Sequence, residues 1–329
     1  MRVWLSTFPR IQDTTRVAIA AEEAGFHGLM VTDSQCLRPD PFVELSAVAE
    51  ATTTLHIGTC ASNLVTRHPS VLASLAASLQ QRSGGRMHLG VARGDSAVTK
   101  VGLHPLTPEA FAGSLASLRS LLHGETAVID GTTVSLSWLD PSTPPTPVIG
   151  VASGPQTIVA AARNADGLIL QLGSDPEAIA RGVRLARDAQ TSPEFTVAAY
   201  VIVGLEMEGG GRPPIDGVTT LLARMAATTL ANDGSPQAAA AEAATRTYSL
   251  ATHGHPAAEE EARATEHYAL MGTAEHVIGQ LRRIASTGCD ELVVILDSMT
   301  TDPAALLDLV RAFGDTVLPA LKAASGSAE

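Results

Sequence analysis

The sequence predicts an α/β fold, a closed (β/α)8 TIM barrel with insertions after its fourth and seventh strands. Two observations carry that expectation. Eight short apolar runs recur along the chain without polar alternation, the pattern of parallel strands covered on both faces. Each is followed by a segment of helical period, most of them opened by a proline or a capping residue. Repeated eight times, this alternation favours a closed barrel over an open doubly wound sheet. A length of 329 residues alone fits one such barrel or two average domains; the repeat makes it a single domain over 1–329.

The first strand is read from Val3 to Ser6. The helix after it carries an apolar stripe of Val17, Ala20, Ala21 and Ala24, with Arg16, Glu22 and Glu23 turned to water, and ends at Gly25. Strand two runs from Gly28 to Thr32, and Asp40-Pro41 opens its helix. Strand three runs from His56 to Ala61 before His68-Pro69, and strand four from Met87 to Val91 before Thr107-Pro108. In each pair proline takes the first helical position, where its missing N–H costs nothing. The first insertion, about 124–146, contains a hairpin from Thr126 to Leu136 around Asp130-Gly131, a type I′ turn signal. Strands five and six, Pro147 to Val151 and Leu168 to Leu172, precede Gly154-Pro155 and Asp175-Pro176. Strand seven spans Thr196 to Val203. The second insertion, about 206–270, opens on Gly209, Gly210 and Gly211 and carries Ala-rich helical stretches around 238–244 and 257–264. It reads equally as a loop with an accessory helical layer and as a lid or dimer surface. Gly288 ends the next helix, strand eight runs from Glu291 to Leu296, and Asp302-Pro303 opens the last barrel helix. The tail from Ala323 to Glu329 reads as frayed.

Composition narrows the function. A formal net charge of -12 excludes a broad nucleic-acid or anionic-membrane surface, which would need clustered cations. Lysine occurs only at Lys100 and Lys322, so nearly all of the 22 positive charges are arginines, suited to fixed bidentate contacts with anions. No apolar run approaches the ~18 residues of a membrane span. The apolar start is short and interrupted by Arg10 and Asp13, so a cytoplasmic protein is expected. Cys36, Cys60 and Cys289 form no CxxC pair; they read as incidental thiols, and no metal site is expected.

In such a barrel chemistry gathers at the strand C-termini. The polar residues there are Ser6 and Thr7; Thr32, Asp33 and Ser34; Ser62 and Asn63; Arg93 to Ser96; Ser153 and Gly154; Gln171; Tyr200; Asp297 and Ser298. Three segments stand out. Gly90 to Ser96 combines small residues for close backbone approach, an arginine that can clamp an anion and Asp95 as an acceptor; it can equally be a plain turn. Ala152 to Thr157 opens a helix whose free N–H groups can hold a phosphate, or is simply a helix start. Asp33 ends strand two and can act chemically or cap the next turn.

These residues, with Ala24-Gly25-Phe26, Val31 to Ser34, Thr66 to Pro69, Gly84-Gly85-Arg86, Leu89 to Ala97, Ala152 to Pro155, Ala165-Asp166-Gly167 and Met271 to Glu275, resemble the bacterial-luciferase-like superfamily. The Arg-Gly-Asp-Ser-Ala run is similar to the branch of methylenetetrahydromethanopterin reductase, whose members use the deazaflavin coenzyme F420. The resemblance implies a barrel with the coenzyme across the strand C-termini and a non-prolyl cis peptide after strand three, by position Cys60-Ala61. It places Asp33, Ser34, Ser62, Asn63, Gly94, Asp95, Ser96 and Gln171 around the ring and its chain, and Arg93, Ala152, Ser153 and Gly154 at the phosphate. Relatives commonly carry an acid at the end of strand one and a histidine after the strand-two aspartate, where this chain has Ser6 and Ser34. The expected activity is hydride transfer between F420 and a small organic substrate. Asp33 is the expected catalytic residue, with water, Tyr200, His253 or His255 as other proton sources. An FMN-dependent monooxygenase is the alternative, and a non-catalytic flavin-binding or structural relative the second. By analogy a homodimer is expected, with Ala73, Ala76 and Ala77 allowing close helix approach.

Overall fold

Closure rests on β1 (Arg2–Thr7), which pairs in parallel with β2 (Gly28–Val31) on one side and with β12 (Glu291–Ile295) on the other. The computed structural model describes residues 1–207, Ile215, Val218 and 268–325. From β2 the ring continues through β3 (His56–Thr59), β5 (Met87–Ala92), β8 (Val148–Ala152), β9 (Gly167–Leu170) and β10 (Thr196–Leu205) back to β12, every pair parallel. These are the eight expected strands. Two further strands were not foreseen. β4 (Ser62–Asn63) pairs with β5 alone. β10 runs for ten residues, beyond the ring, and its last residues pair with β11 (Ala269–Gly272) outside the barrel.

Proline occupies the first helical positions of α2 (Pro41–Ala51), α3 (Pro69–Arg82), α5 (Pro108–Leu122), α6 (Pro155–Asn164), α7 (Pro176–Ala189) and α9 (Pro303–Thr316), as expected. All but one of these start under a side-chain cap, such as Asp40 accepting from the Phe42 N–H or Asp302 from those of Ala304 and Ala305. α6 is the exception, with Gly154 at its cap. Among the described residues the remaining helices are α1 (Asp13–Ala24), α4 (Ser96–Thr99), α8 (Ala274–Ala285) and α10 (Leu318–Ser325). Gly25 and Gly288 adopt the positive φ of chain reversals after α1 and α8. In the first insertion β6 (Ala127–Ile129) and β7 (Thr132–Val134) form the expected hairpin, with Asp130 at φ 49° and Gly131 at φ 77°. Apart from its edges, Ile215 and Val218, the second insertion lies outside the described residues, and so do His253 and His255.

Three local expectations change. Glu22 is not turned to water: its Oε1 accepts from the N–H groups of Thr53, Thr54 and Leu55 and from the Thr54 hydroxyl, pinning the loop between α2 and β3. Ala73, Ala76 and Ala77 are buried against the barrel, because α3 needs small residues to approach its own strands, and are not free for a second copy. The helix α10 continues to Ser325, past the start of the expected frayed tail, since Leu318 and Leu321 are anchored in the core.

The N-terminal end of the barrel carries an aromatic cluster. The Trp4 ring meets His27, His56 and His88 edge-on, at 4.8, 5.9 and 4.9 Å between centroids, and His56 Nδ1 lies 3.1 Å from His88 Nε2. Trp4 Nε1 donates to Glu291, which also pairs with Arg2. Burial and then the neighbouring imidazole push His88 down to about 3, while burial, His56 and Arg2 push His27 down to about 4; His56 is lowered by burial, Arg86 and Arg2. A base whose folded pKa is depressed is neutral in the fold while the unfolded chain takes up protons below about 6.5. Stability from this cluster is therefore present above that pH and is lost as pH falls toward 4. His88→Gln is expected to shrink the stability loss between pH 6.5 and 5 by roughly 1–2 kcal/mol, measured by urea unfolding at both pH values. An unchanged loss would show that His88 is protonated in the fold.

Candidate active site

At the opposite end, strand pairing itself shapes the site. β3 pairs with β5 at Ile57 to Met87 and Gly58 to His88; pairing resumes in β4 at Ser62 to Val91, one residue out of register. The extra residue is taken up in a bulge whose Cys60-Ala61 bond is cis, at the position expected from the resemblance. The bulge needs close contact between strands: a Cβ on Gly90 would stand 1.9 Å from the Thr59 carbonyl oxygen. Thr59 in turn donates its hydroxyl to the Gly90 carbonyl at 2.8 Å. The result presents Ser62 and Asn63, both buried, to the mouth.

Two adjoining cavities open there. The first, about 120 Å³, contains Asp33, Ser34, Cys60, Ala61, Ser62, Asn63 and Ser96 in its lining; the second, about 550 Å³, is lined by Arg93, Ala152, Ser153 and Gly154. Gly94, Asp95 and Gln171 border both. Asp33 and the residues expected around the ring and the phosphate thus all line one or the other of these adjoining cavities. Sequence reasoning missed Phe8, Leu37, Arg38 and Met299 in the first cavity, because it counted polar groups at strand ends, and three of these are apolar loop residues. Their only sequence signal is position, just beyond strands one, two and eight.

The polar contacts sort the residues by what they can do. Asp33 is buried; its Oδ2 accepts from the Ser62 hydroxyl at 2.6 Å and from Arg67 Nε at 3.2 Å. Arg67 also reaches Asp40 at 2.7 Å and lies over the Phe42 ring. Burial works against the Arg67 charge, but Asp40 and Asp33 outweigh it and hold the guanidinium above its ordinary value. Ser34 and Ser96 share a hydroxyl contact of 2.9 Å, tying the loop after β2 to that after β5. The Tyr200 hydroxyl sits 3.4 Å from that of Ser6; burial pushes the phenol far up, so it is a neutral donor. Burial raises the Cys60 thiol to about 12, leaving it an inert wall. Asn63 Oδ1 accepts from the N–H groups of Val65 and Thr66, while its Nδ2 is buried without a partner. In the second cavity Arg93 is tethered by Nε to the Leu106 carbonyl, and α6 has at its cap position Gly154, which makes no side-chain cap bond. Among the described residues no group of His, Cys, Asp and Glu is placed to hold a metal ion, and no helix is long and apolar enough to cross a membrane.

A closed parallel barrel with a bulge after its third strand and a two-part cleft at its strand C-termini defines a barrel of the luciferase type. The chain belongs to the luciferase-like monooxygenase family, whose model matches residues 2–291. It is 29% identical over 199 residues to the 5,10-methylenetetrahydromethanopterin reductase of Methanolobus tindarius, covering 57% of this chain and 60% of that protein. The chain spans about half the length of the curated relatives it matches. The coenzyme F420 dependent tetrahydromethanopterin reductase of Methanopyrus kandleri superposes with a TM-score of 0.73 over 97% of this chain and 98% of that one, at 18% identity. The monooxygenase RslO1 of Streptomyces bottropensis gives 0.70 over 97% and 99%, at 22%. At these identities the superpositions establish the fold.

The contact between Gly90 and Thr59 gives a direct test of the bulge. Gly90→Ala is expected to cost roughly 1–3 kcal/mol of stability, as overpacking does, read from urea unfolding. A variant as stable as the parent would mean that the two strands are not held this close.

Proposed function

We propose that this chain is an oxidoreductase that holds the deazaflavin coenzyme F420 across the strand C-termini and passes a hydride between it and a small organic substrate. The observation that carries this reading is the joined cleft: a narrow part with an unpartnered amide donor at the bulge, and a wider part with Arg93 beside an uncapped helix start. A ring on a phosphate-bearing tail has that shape and polarity. The names of the curated relatives support the deazaflavin, and the reductase from Methanopyrus kandleri is consistent with it.

When bound, the coenzyme supplies a ring carbon that gives or accepts the hydride. The chain's residues orient it. Cys60 and Ala61 back the ring, Ser62, Asn63 Nδ2, Ser34, Ser96 and Asp95 offer polar contacts along it, and Gln171 borders the passage between the cavities. Arg93, Ser153 and the first N–H groups of α6, after Ala152 and Gly154, take the phosphate against a protein of net charge -12. Asp33 is the acid/base group of this reading, exchanging a proton through the Ser62 hydroxyl that it accepts. FMN is the alternative coenzyme, which the FMN complex of a like-folded Baeyer-Villiger monooxygenase supports. One barrel domain over the whole chain, a homodimer, and a cytoplasmic address consistent with three free thiols complete the proposal.

Titration of the purified protein with F420 and with FMN, followed by absorbance and fluorescence, tests the coenzyme: tight F420 binding is expected, and FMN binding alone would overturn it. Arg93→Ala is expected to weaken F420 binding by about tenfold or more, roughly 1.4 kcal/mol; unchanged affinity places the phosphate elsewhere. Asp33→Asn is expected to retain F420 affinity and lose at least about tenfold in turnover, roughly 1.4 kcal/mol. Full turnover would remove Asp33 from acid/base duty.

A further inference from the structure

The wall of the first cavity facing away from Arg93 carries a charge that the coenzyme reading does not use. Phe8, Leu37, Arg38 and Met299 form it, on the loops after β1, β2 and β12. Beneath it the fully buried Asp297 accepts from Arg10 Nη2 at 2.8 Å and from the Thr7 hydroxyl at 3.0 Å. Arg10 also donates to Thr7 Oγ1 and to the carbonyls of Phe8 and Ser298. Asp297 Oδ2 is thus held by Arg10 and Thr7, while its Oδ1 is buried with no hydrogen-bond partner.

Arg38 is the second guanidinium at this corner. Its Nη2 donates to the Met299 carbonyl, its head lies 5.9 Å from the centre of the Phe8 ring, and its Nε is buried with no partner. Among the described residues no carboxylate lies within ion-pair distance of it. Burial and the nearby Arg10 press its pKa down, only partly offset by Asp297. The other ionisable groups of this cavity are Asp33, which is paired to Arg67, Asp95, on the β5 side, and Cys60 and Tyr200, which burial keeps neutral. A cation left unmatched in an otherwise apolar wall costs free energy unless an anion arrives.

We propose that Arg38 binds the charged end of the substrate, which is an organic monoanion, a carboxylate on an apolar body. The proposal rests on reading the cleft as an oxidoreductase site. Phe8, Leu37 and Met299 would cover the apolar part, and the planar fork of Arg38 would take the carboxylate. A single guanidinium with no carboxylate of the described residues within ion-pair distance suits a monoanion better than a dianionic phosphate.

The test uses hexanoate and hexanamide, which share shape and differ in charge, titrated into the full chain with and without F420 and followed by ligand-observed NMR. Hexanoate is expected to bind at least about tenfold more tightly than hexanamide, roughly 1.4 kcal/mol. Arg38→Met is expected to abolish that preference with F420 affinity unchanged, and Arg38→Lys to retain part of it. Equal binding of the two probes to the parent protein, or a preference that survives Arg38→Met, overturns the proposal. Failure to bind F420 would instead sink the coenzyme reading, and the arm without F420 would still decide the anion subsite.

Discussion

The close approach of Thr59 to Gly90 is the constraint on which the mouth depends. Because no side chain separates the two backbones there, β3 can leave the ring and rejoin β5 one residue out of register. That slip turns Ser62 and Asn63 toward the cleft and puts Cys60 and Ala61 in its wall. Asp33 then has Ser62 as a donor, and Arg67, on the chain just beyond, closes an ion pair back to Asp33 and Asp40. A side chain at position 90 would disturb each of these contacts at once.

The two ends of the barrel are built on different economies. The N-terminal end buries neutral imidazoles around Trp4 and balances Arg2 with Glu291. Its groups are mutually satisfied, and their depressed basicity is a property of packing. The C-terminal end leaves Asn63 Nδ2 and Arg38 Nε without partners and starts α6 on a glycine. Native folds keep most buried polar groups paired; of the exceptions among the described residues, Arg38 Nε, Asn63 Nδ2 and Asp297 Oδ1 lie at this end and Thr146 Oγ1 at the other.

Much of this was legible in the sequence because it depends on local chemistry. The strand runs and the X-Pro pairs mark β/α units directly, since proline at a helix start and apolar runs in parallel strands are consequences of neighbouring residues alone. Polar residues directly after strands were legible for the same reason. Contacts between units were not. Glu22 looks like a solvent residue on its helix and becomes a loop anchor only when the loop after α2 is brought beside it. Ala73 and Ala76 look like an open small-residue face until the barrel covers them. Phe8, Leu37 and Met299 have no local mark at all, because an apolar loop residue acquires its role only from the cavity that three loops enclose.

Ser6 and Ser34 mark the sharpest departure from the pattern that the resemblance implies, and the structure shows what replaces it. Where an acid and an imidazole would stand, the chain has two neutral contacts between hydroxyls, Ser6 with Tyr200 and Ser34 with Ser96. Such pairs are inexpensive to bury because each member satisfies the other, but neither carries a charge near neutral pH. The Tyr200 phenol, pushed up by burial, keeps its proton and can donate to an oxygen without surrendering it. The carboxylates left at the mouth are Asp33, held by the Ser62 hydroxyl and Arg67, and Asp95, while the serine pairs set its shape and polarity.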